Sequence, residues 1–515
     1  MKKNKVIKSV YLYPENSKVF IYGAGSSCKA LIYLLERLRR DIEICGIIDS
    51  FKEGKYKKYK IFKFSDFLKN NIKYDYIIIA SLFSRQISEN LFDYNLENHF
   101  IFQDQSQVLS GYLMESRFAK LINFSKRNFV KCLQKLFFIK SNKIIILGEY
   151  GSNFVGNCKY MFLYLLKRNQ NVFYLVDNKE QYRKFSNKHL PSLMLGKIST
   201  FIHLLTCKVI FVDNSNWTFN DQLLNWVSAK KVQLWHGVGF KYIELMLVTD
   251  YFSDKFSLNE KEIFKKRYCK YDYLITTSQF YAENVFSPAF NIDLKNILLS
   301  GHSRNDQFYT DDYDSFDFDK DIKDKVINYK QSGMKIVIYT PTFRDKVEEF
   351  FFFKNFDLKS FNEFLKQNKI IMILKGHSIP HLDFKEQDPN GLSNIMQLKD
   401  RLDIYPILKV SDLMITDYSS IYMDYLHARK PIIFFTYDLS EYRKLHRQLQ
   451  FDYDEMTPGP KAKNQNELVN WIKHFLVDNK DGFEKDRTRV FNLAFKYHDG
   501  NASERIYKKV LSVEC

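Results

Sequence analysis

Two adjacent serines, Ser419 and Ser420, occur where an apolar strand pattern gives way to a helical one. The run 413–415 is apolar, Asp417 follows it, and the helical pattern continues to about Ala428 before a second apolar run begins. Backbone N–H groups and hydroxyls at the start of a helix form a ready site for phosphate. The pattern therefore predicts an anionic ligand, with the alternative that Asp417 or Ser419 only caps the helix.

Two earlier strand patterns of the same region also end in hydroxyl and cationic side chains. The residues are Thr342 and Arg344 after the apolar run 336–339, and Lys375 and His377 after the run 370–374. Because neighbouring parallel strands end at one edge of a sheet, we expect these side chains to gather there. Cations and hydroxyls grouped in this way suit a pyrophosphate.

A histidine, His236, follows the apolar strand pattern 232–235 and lies between Gly237 and Gly239, which let a substrate approach the backbone. A neutral imidazole at this position could accept a proton from an attacking hydroxyl. The alternative is a structural histidine that only forms hydrogen bonds. Lys241 places a cation near the same spot.

Strand patterns alternate with helix patterns over most of the chain, which predicts parallel sheets with sites at the carboxyl ends of the strands. Near the N-terminus, Gly23 and Gly25 follow a strand in a G-x-G-x-x-Cys turn, and Asp49 ends the next strand. This spacing is typical of a dinucleotide site. The alternative is a Rossmann-like domain without a nucleotide, since Cys28 replaces the third glycine.

The length of 515 residues is too great for a single core. We predict four segments: a Rossmann-like domain at 1–112, a linker at 113–141, and two α/β halves at 142–310 and 311–515. Basic and apolar residues interleave at helical spacing over 116–143 without an acidic residue. That stretch fits either an amphipathic helix on an anionic membrane or an ordinary linker helix.

Composition narrows the function classes. The seven cysteines are scattered without metal or disulfide spacing, and the Asp317-Phe-Asp319 triplet lies in a polar linker-like stretch, so we expect no metal site. We find no signal peptide and no apolar run long enough to span a bilayer. The formal net charge of +18 fits binding to nucleic acid, anionic lipid or a polyanionic substrate, with the alternative of a generally solvated, lysine-rich surface.

Seven motifs together resemble the bacterial CDP-glycerol glycerophosphotransferase family, the teichoic-acid primases and polymerases and their capsule relatives. In chain order they are QLWHGVGFK, SGHSRND, YTPTFRD, LKGHS, ITDYSSIYMDY, KPIIFFTYDLSEY and FDYDEMTPGP, within about 142–490. The resemblance implies an α/β GT-B fold, two facing Rossmann-like halves, with the acceptor on the first half and the donor on the second. The preceding domain is similar to small Rossmann-like domains of bacterial sugar-modifying enzymes.

The resemblance also implies roles for individual residues. His236 would deprotonate the acceptor hydroxyl, with Gly237 and Lys241 on the acceptor side. His377 would contact the donor pyrophosphate, and Asp417 would orient its loop. The other residues assigned to donor and phosphate binding are Arg304, Thr342, Arg344, Lys375, Ser419 and Ser420.

The implied reaction is attack of a polymer or primer hydroxyl on the phosphorus that bears the polyol, with CMP as leaving group. The donor would be CDP-glycerol or CDP-ribitol, and the acceptor an anionic polymer or a lipid-linked primer. No cofactor is required, no nucleic acid is a partner, and we expect a cytoplasmic enzyme held peripherally on the inner face of the membrane. A nucleotide at Gly23, Gly25 and Asp49 remains an additional hypothesis.

Two positions depart from the usual family pattern: Cys158 stands where proline is common in Asn157-Cys158-Lys159, and Gly376 replaces a proline before His377. Two other function classes remain open. A GT-B sugar transferase would use a nucleotide sugar and release no CMP. A basic scaffold or nucleic-acid-binding protein would bind any polyanion and would not need His236.

Overall fold

The structure is a computed structural model, and its chain divides into two compact units. Unit 1 comprises residues 1–124, 244–267 and 440–448, and unit 2 comprises 125–243, 268–439 and 449–515. Unit 1 therefore takes in two segments from within the predicted GT-B halves. The structure describes residues 5–7, 10, 13–69, 72–81, 84–102, 130, 132, 142–148, 154–214, 227–251, 253–267, 271–310, 318, 320–342, 356–375, 392–398, 402–439, 442 and 449–512.

Unit 1 is built on a seven-stranded sheet of order β1-β7-β6-β2-β3-β5-β4, parallel except for the β4/β5 pair. The strands are β1 Lys5–Ile7, β2 Lys18–Tyr22, β3 Glu43–Asp49, β4 Gly54–Tyr56, β5 Tyr59–Lys63, β6 Tyr76–Ile79 and β7 His99–Phe102. The helices are α1 Ser26–Leu38, α2 Phe64–Phe67, α3 Ser84–Asp93 and α7 Leu258–Arg267, with a π-helix at Leu247–Tyr251 and a 3₁₀ turn at Ser253–Lys255. The predicted small Rossmann-like domain is confirmed.

The first sheet of unit 2 has seven parallel strands in the order β10-β9-β8-β11-β12-β13-β14. They are β8 Ile144–Leu147, β9 Val172–Val176, β10 Ser192–Met194, β11 Val209–Val212, β12 Lys230–Gln233, β13 Tyr273–Thr276 and β14 Ile297–Leu299. The helices between them are α4 Gly156–Lys167, α5 Lys179–Asn187, α6 Ile198–Thr206, α8 Gln279–Tyr281 and α9 Ser287–Phe290, with a π-helix at Ala282–Phe286 and 3₁₀ turns at Leu294–Asn296 and Ser303–Phe308.

The second sheet of unit 2 has six parallel strands in the order β17-β16-β15-β18-β19-β20. They are β15 Lys335–Thr340, β16 Ile370–Leu374, β17 Ile395–Gln397, β18 Leu413–Thr416, β19 Ile432–Phe435 and β20 Lys461–Ala462. The helices are α10 Lys320–Gln331, α11 Leu358–Gln367, α12 Tyr405–Val410, α13 Ile421–Tyr425, α14 Tyr453–Met456, α15 Gln465–Leu476, α16 Glu484–Ala494 and α17 Ala502–Val510, with a 3₁₀ turn at Leu426–Ala428.

The last helices of the chain return to the first half of unit 2. The hydroxyl of Thr277 donates to the carbonyl of Ala494 at 2.6 Å. Asp306 accepts the backbone N–H groups of Ala502 and Ser503 at 2.8 and 2.9 Å, which satisfies donors at the start of α17. The chain thus crosses from the second half back onto the first.

Several strands of both halves are buried along their whole length, as expected for parallel sheets that are covered on both faces. Residues 144–147, 413–416 and 432–435 are buried throughout. Two α/β halves, each with a parallel sheet, confirm the predicted fold class. The predicted basic helix at 116–143 lies almost entirely outside the described residues.

Candidate active site

The loop that carries His236 follows β12, which ends at Gln233, two residues before the predicted strand end. Trp235 has φ +53° and so cannot continue a strand. Such a conformation in a bulky residue is strained and persists only where the surroundings fix it. The side-chain oxygen of Gln233 accepts the Trp235 N–H at 2.9 Å, and Asn157 Nδ2 donates to the Trp235 carbonyl at 2.6 Å.

The imidazole of His236 is exposed, and its Nδ1 lies 3.3 Å from the carbonyl oxygen of Asp213. A carbonyl can only accept, so this contact assigns the proton to Nδ1 and leaves Nε2 with a lone pair. The ring also packs on Trp235, with 4.0 Å between ring centres. This tautomer and orientation suit a general base that receives a proton at Nε2.

Arg304 lies under the same loop and is 7% exposed. Its Nη1 donates to the carbonyl of His236 at 2.7 Å, and its Nη2 lies 2.5 Å from Asp424 Oδ2. Gly237, with φ +134°, leaves the space for this guanidinium, since a Cβ there would collide with Nη2. Burial alone would lower the pKa of Arg304, but the Asp424 carboxylate raises it, so the side chain stays charged.

The carboxylate of Asp424 has a second partner, because the Tyr405 hydroxyl donates to the same Oδ2 at 2.9 Å. Burial raises the pKa of Tyr405 well above its ordinary value, so the phenol remains a donor. The Arg304 guanidinium also lies over the Tyr405 ring, 5.1 Å from its centre. Arg304 is therefore held by groups from both halves, while its predicted contact with pyrophosphate stays a prediction.

Helix α4 joins the two halves through the Asn157-Cys158-Lys159 sequence. Lys159 Nζ lies 2.7 Å from Asp403 Oδ2, and their side chains are 3% and 2% exposed. The Tyr160 hydroxyl donates to the same oxygen at 2.8 Å. Cys158 packs as a neutral thiol against the Leu147 carbonyl at 3.3 Å, since burial raises its pKa well above the ordinary value. Cysteine in place of proline is thus accommodated as a buried, apolar position.

The loops after β15 and β18 are tied together by Asp417, which is fully buried. Its carboxylate accepts the Thr342 N–H at 2.8 and 3.0 Å and the Thr342 hydroxyl at 2.5 Å. It also accepts the N–H of Tyr418 at 2.5 Å, and the Tyr453 hydroxyl donates to the Asp417 carbonyl at 2.9 Å. Asp417 thus orients both donor-side loops in this structure, and its part in phosphate binding stays a prediction.

Ser420 is exposed at the start of α13, and Ser419 before it is partly buried. The Ser420 side chain makes no capping hydrogen bond to the helix. α13 is shorter than predicted, since only Ile421–Tyr425 is α-helical and Leu426–Ala428 forms a 3₁₀ turn. The chain turns away at Arg429, which has φ +54°.

The base-bearing loop and the serine loop meet at Gly239. A Cβ at Gly239 would lie 3.1 Å from Ser420 Cβ. Phe240 packs on Tyr422 and Tyr453, with ring centres 5.9 and 5.8 Å apart. The acceptor-side and donor-side loops predicted from the sequence are therefore brought into contact.

Of the remaining predicted site residues, some are described by the structure and others are not. Lys375 lies at the end of β16, partly exposed, with its N–H donating to the Tyr339 carbonyl at 2.9 Å. Lys241 forms an antiparallel bridge with Leu449. Arg344 and His377 lie outside the described residues, as does Gly376, so their assignments remain predictions.

The glycine turn of unit 1 uses its acidic residue internally. Asp49 accepts the N–H groups of Ala24, Phe51 and Lys52 at 2.7, 3.0 and 3.0 Å. Burial alone would raise the pKa of Asp49, but these donors lower it. Gly23 has φ +110° and lies against the Ala80 carbonyl. Asp49 thus stabilises the turn itself, and the nucleotide hypothesis for Gly23, Gly25 and Asp49 stays a prediction.

Sequence reasoning missed Asp213, Asp403, Tyr405 and Asp424. Asp213 acts through a backbone carbonyl, which no side-chain pattern reveals. The other three are joined to residues more than 100 positions away, or to each other. The nearest signal was the acidic residue at 424 on an otherwise apolar helix start.

Within the described residues, no helix is long and apolar enough to cross a membrane. Among the same residues, no group of three or more histidine, cysteine or acidic side chains is arranged to hold a metal ion.

Comparison with known proteins gives two family matches. Residues 129–512 match the family model described as CDP-Glycerol:Poly(glycerophosphate) glycerophosphotransferase. Residues 15–102 match the model described as C2185-like, N-terminal. The first match covers most of the chain and includes both halves of unit 2.

Individual relatives agree with this match. The chain is 28% identical over 405 residues to the teichoic acid poly(ribitol-phosphate) polymerase of Bacillus spizizenii, covering 77% of this chain and 60% of that protein. It is 26% identical over 408 residues to the teichoic acid glycerol-phosphate transferase of Staphylococcus aureus, covering 77% of this chain and all of that protein. The solved structure of the wall teichoic acid polymerase TagF shares the fold, with TM-score 0.57, 21% identity, and coverage of 77% and 96%.

Proposed function

The chain belongs to the CDP-glycerol:poly(glycerophosphate) glycerophosphotransferase family, and on that premise we propose that it transfers a polyol phosphate from a CDP-polyol to a hydroxyl of a cell-surface polymer or its lipid-linked primer, releasing CMP. Glycerol phosphate is the first candidate unit and ribitol phosphate the second. The two relatives described above are named for one unit each. The product would be a teichoic-acid-like or capsular polymer.

One observation carries the proposal beyond the family. Gly239, three residues after His236, approaches Ser420 at the donor-side loop. A base and a phosphate site must be this near if a hydroxyl is to attack phosphorus between them. The contact between these two loops therefore supports a transfer reaction at the junction of the halves.

In the proposed reaction, the acceptor oxygen attacks the phosphorus that bears the polyol while its proton passes to His236 Nε2. The new phosphorus–oxygen bond forms as the bond to the CMP phosphate breaks, and CMP leaves with the electron pair. Ser419, Ser420, Lys375, Arg344 and His377 hold the pyrophosphate charge. Asp417 fixes the loops together with Thr342, whose N–H and hydroxyl both donate to its carboxylate. Catalysis then consists of positioning and cationic stabilisation without a covalent intermediate.

The environment of the enzyme belongs to the same proposal. A net charge of +18 suits an anionic donor, an anionic polymer and an anionic membrane surface. We place the protein in the cytoplasm, peripherally at the inner face of the membrane. A membrane flotation assay with vesicles containing phosphatidylglycerol, compared with neutral vesicles, tests this placement.

The reaction class is tested by CMP release from purified protein with a teichoic-like or lipid-linked acceptor. CDP-glycerol, CDP-ribitol and UDP-glucose are offered separately. We expect CMP from one CDP-polyol. UDP formation from UDP-glucose, with no CMP from either CDP-polyol, would instead indicate a GT-B sugar transferase.

A further inference from the structure

A single buried carboxylate connects the two loops of the candidate site. Asp424 lies on α13, four residues after Ser420, and is 1% exposed. We propose that Asp424 is a positioning residue which, through Arg304, holds the backbone at His236 in register with the serine loop at the start of its own helix. The inference rests on the proposed function and deepens it.

The contacts form one continuous path. Asp424 Oδ2 lies 2.5 Å from Arg304 Nη2, and Arg304 Nη1 donates to the His236 carbonyl at 2.7 Å. Tyr405 fixes the carboxylate by donating to the same oxygen at 2.9 Å. Two charged hydrogen bonds from one rigid guanidinium therefore link the helix of the donor half to the backbone of the base.

Neighbouring residues hold both ends of this path in place. The backbone N–H of Arg304 donates to Asn157 Oδ1 at 3.2 Å, and the same amide side chain donates to the Trp235 carbonyl at 2.6 Å. The residues on either side of His236 are thus fixed as well, Trp235 by Asn157 and Gly237 by its close approach to Arg304. A shift of the Asp424 side chain would therefore move the backbone at His236.

The same contacts give Arg304 a positioning role that is separate from its predicted contact with pyrophosphate. Nη1 and Nη2 each direct one of their two N–H groups at a protein partner, the His236 carbonyl and Asp424, and the side chain is 7% exposed. Only Nε lacks a partner among the described residues, and it is buried. In this inference Arg304 acts on the substrate through His236, and its predicted contact with pyrophosphate stays a prediction.

Charge near the base provides a readout that a purely structural role would not move. Around His236 the described groups are the cation of Arg304, the Asp213 carbonyl with its nearby carboxylate, and His302, whose pKa is lowered well below the usual value, first by burial and then by Arg304 and His236. Asp424 neutralises Arg304 within this group. Its loss would leave the local charge more positive and so lower the pKa of His236.

The test compares Asp424→Asn with Asp403→Asn as a matched control. Asp403 also forms a buried ion pair between the halves, with Lys159. It accepts the backbone N–H of Tyr405 at 3.2 Å, a contact that the Oδ1 of an asparagine retains, so the substitution removes the charge and leaves the Tyr405 backbone contact in place. We would measure CMP release, the dissociation constant of CDP-glycerol, and the pH dependence of modification of His236 by diethyl pyrocarbonate, followed by mass spectrometry. Tyr405→Phe, which loses one hydroxyl, is the milder second variant.

For Asp424→Asn we expect kcat to fall at least tenfold, the dissociation constant to stay within about threefold, and the midpoint of the modification profile to move to lower pH. Asp403→Asn should leave that midpoint at the wild-type value. The inference is overturned if Asp424→Asn leaves both kcat and midpoint unchanged, or if Asp403→Asn moves the midpoint equally.

Two further outcomes are kept separate. If Asp424→Asn does not fold, Tyr405→Phe decides, and an unchanged kcat in that variant overturns the inference. If wild-type protein releases no CMP from any CDP-polyol, the proposed function fails. The modification profile needs no turnover, so it still supports or refutes the link between Asp424 and His236.

Discussion

Replacing Gly237 with alanine should lower turnover by displacing His236, although the His236 side chain itself is unchanged. Gly237 has φ +134°, and a Cβ there would collide with the Arg304 guanidinium. The backbone strain costs about 1–3 kcal/mol. Displacing Arg304 would also break its charged hydrogen bond to the His236 carbonyl, a loss of about 1.5–3 kcal/mol. Misplacing a catalytic group by about 1 Å lowers turnover by about 100-fold, so we expect a loss of kcat of that order.

The matched control is Gly196→Ala. Gly196 also has a positive φ, +88°, but among the described residues no atom lies within 4 Å of the position that a Cβ would take there. It should show the strain without the loss of turnover. Chemical denaturation measures the free energy of unfolding, and CMP release at saturating CDP-glycerol measures kcat. The reasoning is refuted if Gly237→Ala is no less stable than Gly196→Ala and retains wild-type kcat.

Three further predictions concern ligand binding, pH and the junction of the halves. Replacing both Ser419 and Ser420 with alanine should weaken CDP-polyol binding about tenfold, because two hydroxyl donors are lost while backbone donors remain. An unaltered dissociation constant in calorimetry would show that the two hydroxyls do not contribute to binding. Burial raises the pKa of Asp306 to about 7, so its contribution to stability is full below about pH 4 and is lost as the pH rises through 7. The free energy of unfolding of the wild type should therefore fall over that range relative to that of Asp306→Asn. A difference between the two proteins that stays constant with pH in chemical denaturation would contradict this. Lys159→Met leaves Asp403 as a buried uncompensated charge and should lower the free energy of unfolding by about 3–5 kcal/mol. The double variant Lys159→Met with Asp403→Leu should recover much of that loss, and equal unfolding midpoints for the single and double variants would contradict this.

The strands were predictable because both sheets are buried on both faces. Unbroken apolar runs such as 209–212 and 370–374 mark such strands and leave little choice of boundary. The boundary failed at Trp235, where the left-handed backbone ends β12 early. That conformation is imposed by Gln233 and Asn157, and local propensity does not encode it.

The loops of the candidate site were predictable from the sequence, but the hydrogen bonds and ion pairs that connect them were not. Ser420 and His236 follow strands, and the order of parallel strands places strand ends together. Asp424 could not be identified in this way, because its role depends on Arg304, 120 positions earlier in the chain. The same contact gives Arg304 a carboxylate partner, while the phosphate contact that its motif suggested stays a prediction.

The small N-terminal unit illustrates the limit of motif reasoning. Gly23, Gly25 and Asp49 have the spacing of a nucleotide site, yet Asp49 satisfies three backbone donors of its own turn. The spacing predicted the turn correctly, because a strand-to-helix turn of this kind needs the same residues whether or not it binds a ligand.

The most direct test of the proposed reaction is mass spectrometry of a lipid-linked acceptor incubated with CDP-glycerol or CDP-ribitol, with CMP quantified in the same sample. We expect the acceptor to gain polyol phosphate units equal in number to the CMP released, and His236→Ala to lower both by about 100-fold or more while still binding donor. An acceptor of unchanged mass with either donor, or a His236→Ala variant as active as wild type, would contradict transfer at this site.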